Sequence, residues 1–125
     1  MAIDDWAALL FLARHPAVDL RAITVAGSGE AHCEPGVANA LALADLAAAE
    51  AAIPAACGDP VPLDGYFVFP EPWQEDMDKL SGVAVPPSGR APWAGHAVDL
   101  IHAAIADSDR PVTLLATGPL TNIAQ

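Results

Sequence analysis

Basic residues are scarce in this sequence. Its 125 residues contain five lysines and arginines against sixteen aspartates and glutamates, which gives a formal net charge of −11. A charge of this sign repels phosphate backbones and anionic lipid head groups, so neither nucleic-acid binding nor membrane binding is expected. The acidity suits a solvated surface and can locally attract a hard cation, but net charge alone does not separate these two uses.

Long apolar runs are missing as well. Arg14, Asp19 and Arg21 interrupt the first hydrophobic stretch before it reaches the roughly 18 residues of a membrane span. The first five residues include two aspartates where a secretory signal needs a basic region followed by an apolar one, so a cytoplasmic location is expected. A glycine-rich phosphate-binding loop is also absent, which favours an unphosphorylated ligand.

Cysteine is rare, with Cys33 and Cys57 the two examples. They form neither a CxxC motif nor a Cys/His ligand pair, so the sequence indicates neither a zinc site nor a disulfide framework. Both are predicted to be reduced, partly buried thiols. His32, beside Cys33, is predicted to be an ordinary surface or core histidine rather than a metal ligand.

Patterns typical of helices and strands alternate along the chain. Apolar residues at helical spacing, buried apolar runs and Gly/Pro breaks predict a series of elements. These are a helix over Asp4–His15, a strand within Asp19–Gly27, a helix from Glu34-Pro35 to about Ala51, a strand over Ile53–Cys57, a helix over Trp93–Ser108, a strand over Val112–Ala116 and a helix start after Thr117. The segment from Pro60 to Pro92 is rich in proline and carries scattered aromatic residues, so it is predicted to be an irregular loop or lid.

This alternation predicts an α/β fold in which βα units build a parallel, doubly wound (Rossmann-like) sheet. Ligands of such sheets bind beyond the carboxyl ends of the strands. Asp4-Asp5, Gly27-Ser28 and Thr117 each stand at such a position, so the three places are expected to converge. A helix that opens at residue 4 should follow a central strand of its own, and three residues are too few for one.

Three segments carry a resemblance to a known family. They are Ile3-Asp4-Asp5 with the apolar helix behind it, Ile23-Thr24-Val25-Ala26-Gly27, and the run from Leu114 to Ala124, which reads LLATGPLTNIA. In this order and spacing they resemble the inosine-uridine-preferring nucleoside hydrolases over the whole length of the chain. The run ATGPLTNIA is the most specific of the three.

The resemblance implies an incomplete nucleoside hydrolase fold and calcium-dependent hydrolysis of the N-glycosidic bond of ribonucleosides, as in purine and pyrimidine salvage. The family motif DxDxxxDD ends in a pair that Asp4 and Asp5 match. By this correspondence Asp5 is a calcium ligand, Asp4 binds the ribose hydroxyls, and Thr117 offers calcium its backbone carbonyl. The earlier aspartates of the motif, among them the general base, would lie before Met1, and further metal and substrate residues would lie after Gln125.

Two departures from the family pattern concern the substrate. Ser28 stands where an asparagine usually contacts the sugar, and Gly65–Pro70 offers aromatic surface where members often carry a histidine. Phe69 and Trp73 are equally compatible with base stacking and with the core of a lid.

Two other interpretations stay open beside the enzyme. One is an inactive, truncated remnant, and the other is a small α/β module that binds sugars or nucleosides. Whether this chain alone binds calcium and ribose distinguishes them. Base preference and oligomeric state, a homo-oligomer included, are left open by the sequence.

Overall fold

Helices outnumber strands in the computed structural model, which describes residues 1–47, 52–67 and 69–125. The elements in chain order are α1 (Ile3–Arg14), β1 (Ile23–Val25), α2 (Cys33–Leu46), β2 (Ala55–Cys57), α3 (Glu71–Asp78), a 3-10 turn (Leu80–Gly82), α4 (Ala97–Ala106) and a second 3-10 turn (Leu120–Asn122). The predicted order of helices and strands is confirmed from α1 to β2 and again at α4. The predicted extension of α2 to about Ala51 falls on residues outside the described ranges. Within those ranges, no helix has both the length and the apolar character to cross a membrane.

Helix α1 lies against α2 through small and large apolar residues that fit one another. Its first turn carries Asp4 and Asp5, whose negative charges favour the amino end of a helix. Trp6 and Leu9 are buried on one face and belong to the same core cluster as Ala40 and Leu43 of α2. Because alanine leaves room on α2, the larger side chains of α1 can pack closely against it.

The sheet consists of β1 and β2, which are parallel and joined by α2. Ile23 pairs with Ala55 and Val25 pairs with Cys57. Successive residues of a strand point to opposite faces. Ala55 accordingly packs in a cluster with α2, whereas Ala56 packs in a cluster with α4. Helices therefore cover both faces of this βαβ unit.

A larger doubly wound sheet is not observed, because the sheet of the described residues has two strands. The predicted strand over Val112–Ala116 is wrong, since these residues have no regular secondary structure. Leu114 and Leu115 are 49% and 62% exposed. A strand is stable only when its backbone groups pair with a neighbouring strand and its apolar side chains are covered, and this segment has neither within the described residues.

The proline-rich segment from Pro60 to Pro92 contains more regular structure than predicted. Helix α3 begins with Glu71-Pro72, where proline fits because the first helical turn needs no amide donor. The following turn carries Leu80 at φ 51° and Ser81 at φ 48°, both in the left-handed region. Leu80 is nevertheless buried in the α1–α2 cluster and anchors the end of α3 there. Outside 71–82 the described part of the segment is irregular, as expected, and Val68 is outside the described residues.

The structure corrects the expectation of two reduced thiols. Cys33, at the first residue of α2, is paired with Cys57, at the end of β2, in a disulfide whose Cα atoms are 5.5 Å apart. That separation is typical of disulfides. The packing of the start of α2 beside the end of β2 brings together two residues that are 24 apart in sequence, and their spacing alone gives no sign of it.

Candidate active site

Three parts of the chain meet at the carboxyl end of β1, around Gly29. A side-chain carbon placed on Gly29 would lie 3.5 Å from Cδ of Pro119 and 3.7 Å from the backbone nitrogen of Met1. That nitrogen lies 3.9 Å from Oδ2 of Asp5. The start of α1, the loop after β1 and the segment that follows Thr117 are therefore neighbours, as the sequence predicts at the level of segments.

Asp5 has one satisfied and one unsatisfied carboxylate oxygen. Oδ2 accepts a hydrogen bond from the backbone N–H of Ala2 at 2.7 Å, which fixes the side chain across the start of α1. Oδ1 is buried and has no hydrogen-bond partner among the described residues. Buried polar atoms are nearly always paired, and an unfilled ion or water position is one explanation for an exception. Asp4, its neighbour, is exposed.

Ser28 lies inside the site rather than on its surface. It is 4% exposed, and its hydroxyl lies 3.3 Å from that of Thr121, which is 7% exposed. This buried contact joins the loop after β1 to the segment that carries TGPLTNIA. Thr117, four residues earlier in that segment, is exposed.

The residues named from the sequence thus lie in segments that the fold brings together. The direct contacts that define their roles remain predictions. They are the binding of ribose by Asp4 and Ser28 and the binding of calcium by Asp5 and the Thr117 carbonyl.

Sequence reasoning missed a group of buried polar side chains beside this loop. Gln74, on α3, is 4% exposed and donates from Nε2 to the carbonyl oxygen of Gly29 at 2.9 Å. Asn122 is 5% exposed, its side chain covers Gly58 at the end of β2, and its Oδ1 is buried with no partner among the described residues. Thr121 and Asn122 stand in ATGPLTNIA, the most specific motif of the sequence, and that position could have marked them as residues of the site. Gln74 stands in a segment predicted to be irregular because of its prolines, so its place on a helix was not predicted.

Helix α3 forms one wall of the region. A cavity of about 470 Å³ opens beside it, lined by Glu30, Pro72, Trp73, Asp76 and Met77. The ring of Phe69 lies 6.3 Å from that of Trp73, measured between centroids, and Trp73 is 57% exposed. This half-exposed aromatic pair keeps both predicted uses open, contact with a base and packing within a lid.

One oxygen atom of this region has the chemistry of a metal ligand. Calcium takes about six to eight oxygen ligands from carboxylates, carbonyls and water. The unpaired Oδ1 of Asp5 is a ligand of this kind. Among the residues that the structure describes, no three His, Cys, Asp or Glu side chains gather in a way that could hold a metal. Asp5 therefore offers one hard oxygen ligand, and the described residues do not gather a full set around it.

Known proteins with similar sequences define the class of this chain. All of it, residues 1–125, matches the family of inosine-uridine preferring nucleoside hydrolases. The chain belongs to this family, and its small parallel sheet with helices on both faces is consistent with part of an α/β nucleoside hydrolase fold.

Individual relatives are ribonucleoside hydrolases by name. The chain is 36% identical over 121 residues to the pyrimidine-specific ribonucleoside hydrolase RihA of Shewanella sp. (strain MR-7). It is 33% identical to the protein of the same name from Photobacterium profundum and 32% identical to that from Salmonella agona. The matches cover 97% of this chain but 37–38% of each relative, so the chain spans a little over a third of the length of the curated relatives it matches.

Proposed function

We propose that this chain forms part of a ribonucleoside hydrolase that cleaves the N-glycosidic bond to give ribose and a free base. The observation that carries the proposal is the unpaired, buried Oδ1 of Asp5 at the place where α1, the loop after β1 and the Pro119 segment meet. Membership of the nucleoside hydrolase family supports it. Pyrimidine ribonucleosides are the first substrates to test, because the relatives above carry that specificity in their names.

The roles of the site residues follow from their chemistry. Asp5 and the backbone carbonyl of Thr117 are hard oxygen ligands of the kind that calcium prefers. Bound calcium would supply positive charge that lowers the pKa of the attacking water. Asp4 is exposed in the same first turn and points in a different direction from its neighbour, so it can accept hydrogen bonds from ribose hydroxyls while Asp5 holds the ion.

A contact between Ser28 and the sugar requires a change in the present hydrogen bonding of its hydroxyl. Its hydroxyl already faces Thr121, so contact with the sugar requires the hydroxyl to turn toward the ligand. Serine is shorter than asparagine and has no amide donor, so its contribution to sugar binding is smaller than that of the residue usual in the family. Cleavage itself adds water at the anomeric carbon and releases the base through an oxocarbenium-like transition state.

In the complete enzyme we propose that β1 and β2 belong to a larger, doubly wound parallel sheet. The packing of α2 on one face and α4 on the other supports this, because helices on both faces are typical of such sheets.

A chimera tests the proposal. This chain would replace the 121 matched residues of the Shewanella hydrolase, and release of free base from uridine and cytidine would be measured with calcium present. We expect hydrolysis, and we expect Asp5→Ala to reduce its rate by about 10²-fold or more through lost metal binding. Asp109→Ala, which removes an exposed acid outside the site, is the matched control and should leave the rate unchanged.

A folded chimera with no activity above the blank would overturn the proposal. In that case, binding of ribose by the 125-residue chain would identify a sugar-binding module, and the lack of it would identify an inactive remnant. Circular dichroism of the chimera separates these outcomes from simple misfolding.

A further inference from the structure

Helix α3 is attached to the loop after β1 by a small number of side-chain hydrogen bonds. Gln74 donates to the carbonyl of Gly29 at 2.9 Å. Asn39 of α2 donates to the carbonyl of Asp78 at 3.0 Å. The same amide lies 3.4 Å from the carbonyl oxygen of Met77. A further attachment joins the side chain of Asp78 to His32. Helix α3 is eight residues long, and these hydrogen bonds add to the apolar packing of Met77 and Leu80 in holding it in place.

His32 and Asp78 make a two-point contact. The backbone N–H of His32 donates to Oδ1 of Asp78 at 2.8 Å, and Nδ1 of the imidazole lies 2.7 Å from Oδ2. His32 is the residue just before α2, where backbone N–H groups lack partners within the helix. The carboxylate of Asp78 therefore occupies the amino end of α2, where a negative charge is stabilised by the helix dipole.

The charges around this contact favour an imidazolium. Oε1 of Glu71 lies 3.7 Å from Nε2 of His32, and Glu75 adds a further negative charge from α3. At the start of α1, the positive charge of the Met1 amino group interacts electrostatically with Asp78. The hydrogen bond to Asp78, with the charges of Asp78, Glu71 and Glu75 behind it, raises the pKa of His32 above its ordinary value despite some loss of hydration.

We propose that His32 and Asp78 form a protonation-dependent clasp that holds α3, and with it Trp73, against the Ser28–Gly29 loop. Protonated His32 makes a charged hydrogen bond to Asp78, whereas neutral His32 keeps a weaker one through Nδ1–H. The direction follows from the raised pKa: the charged bond is fully present below the ordinary histidine pKa and is lost as pH rises through the raised one. The clasp goes beyond the proposed function, and its test needs no enzymatic activity.

The first measurement is the titration of His32 in the 125-residue chain, followed by the NMR shifts of the imidazole. We expect His32 to titrate above the ordinary histidine value and to move back toward it in Asp78→Asn. The matched control is Asp109→Asn, which removes an exposed acid from another part of the chain and should leave the titration of His32 unchanged. Titration of wild-type His32 at or below the ordinary value would overturn the proposal without recourse to any variant.

The second measurement exploits the single lysine of the chain, Lys79, which directly follows α3. Lysine-specific proteolysis cuts between Lys79 and the buried Leu80, so cleavage needs this part of the chain to open. The cleavage rate is divided by that of a short unstructured peptide of the same sequence, which removes the pH dependence of the protease. We expect this relative rate to rise roughly two- to five-fold between about pH 6 and pH 8. A rise of this size corresponds to replacing a charged hydrogen bond by a neutral one at a partly exposed site. His102→Asn, on α4, should follow the wild type.

Asp78→Asn should be cleaved at the faster rate throughout this pH range. Equal cleavage of wild type and Asp78→Asn at pH 6, with both chains shown to be folded by circular dichroism, would contradict the clasp. If Asp78→Asn does not fold, His32→Asn provides the same comparison. The clasp would also be refuted if the wild-type cleavage rate, divided by that of the peptide, did not change with pH.

Discussion

Gly58→Ala is expected to destabilise the protein because the site has no room for a methyl group. Gly58 is buried at the end of β2, and its N–H donates to the carbonyl of Val25 at 2.9 Å. A Cβ atom at this position would collide with the side-chain amide of Asn122, with Cγ only 2.6 Å away. Asn122 is itself 5% exposed and cannot simply swing into solvent.

The expected magnitude follows from two opposing effects. Overpacking of a buried site costs about 1–3 kcal/mol. Replacing glycine by alanine stabilises the folded state by about 0.4–1 kcal/mol, because alanine lowers the conformational entropy of the unfolded chain. We therefore expect the free energy of unfolding to fall by about 1–2 kcal/mol, which at a typical urea slope moves the unfolding midpoint by about 1 M. Gly89→Ala is the matched control: a Cβ atom there meets nothing within 4 Å, and its effect should stay within about 0.5 kcal/mol.

A double-mutant cycle identifies the cause. Asn122→Ala removes the colliding amide, and because its Oδ1 has no partner among the described residues, no hydrogen bond of that atom is lost. Gly58→Ala should then cost at least about 1 kcal/mol less in the Asn122→Ala background than in the wild type. Equal costs in the two backgrounds, or wild-type stability of Gly58→Ala, would refute the proposed contact between β2 and the TNIA segment.

Three further predictions concern activity, metal binding and stability. The purified 125-residue chain should release no free base from uridine or inosine even with calcium, because it spans a little over a third of the length of its ribonucleoside hydrolase relatives and its described residues do not gather a set of metal-ligating side chains. Chromatography showing release at an enzyme-like rate would contradict this. In the chimera, Asp5→Asn should weaken calcium binding in a calorimetric titration, whereas Asp109→Asn should not, and binding by Asp5→Asn as tight as that of the unsubstituted chimera would show that Asp5 is not a ligand. Arg90→Ala should lower the free energy of unfolding by about 1–3 kcal/mol, because its guanidinium donates to two backbone carbonyls at 2.8 and 3.2 Å, whereas the exposed Arg110→Ala should have little effect on a urea curve.

Periodic apolar patterns predicted most of the regular elements correctly. The helices at α1 and α4 and the strands at β1 and β2 were each placed within a few residues. Their signals are local, because the side chains that face the core recur at the period of the element itself. The patterns also predicted that the start of α1, the loop after β1 and the TGPLTNIA segment lie together, which the contacts around Gly29 bear out at the level of segments.

Features that depend on contacts between distant residues were missed or misjudged. Helix α3 was not predicted because proline density argues against regular structure, yet Pro72 occupies the one helical turn that accepts it. The strand over 112–116 was predicted from its apolar residues, but a strand forms only with a partner beside it. The disulfide between Cys33 and Cys57 depends on how the start of α2 packs beside the end of β2, which no local pattern contains.

The sequence by itself determined the class of fold elements, the family resemblance and the segments that carry the site. It could do so because helix periodicity, turn residues and short motifs are properties of neighbouring residues. Only the tertiary structure decided that Ser28 faces Thr121, that Oδ1 of Asp5 is left unpaired, and that His32 meets Asp78. These contacts join residues up to 93 positions apart, and their distances follow from how helices and strands pack rather than from any one stretch of the chain.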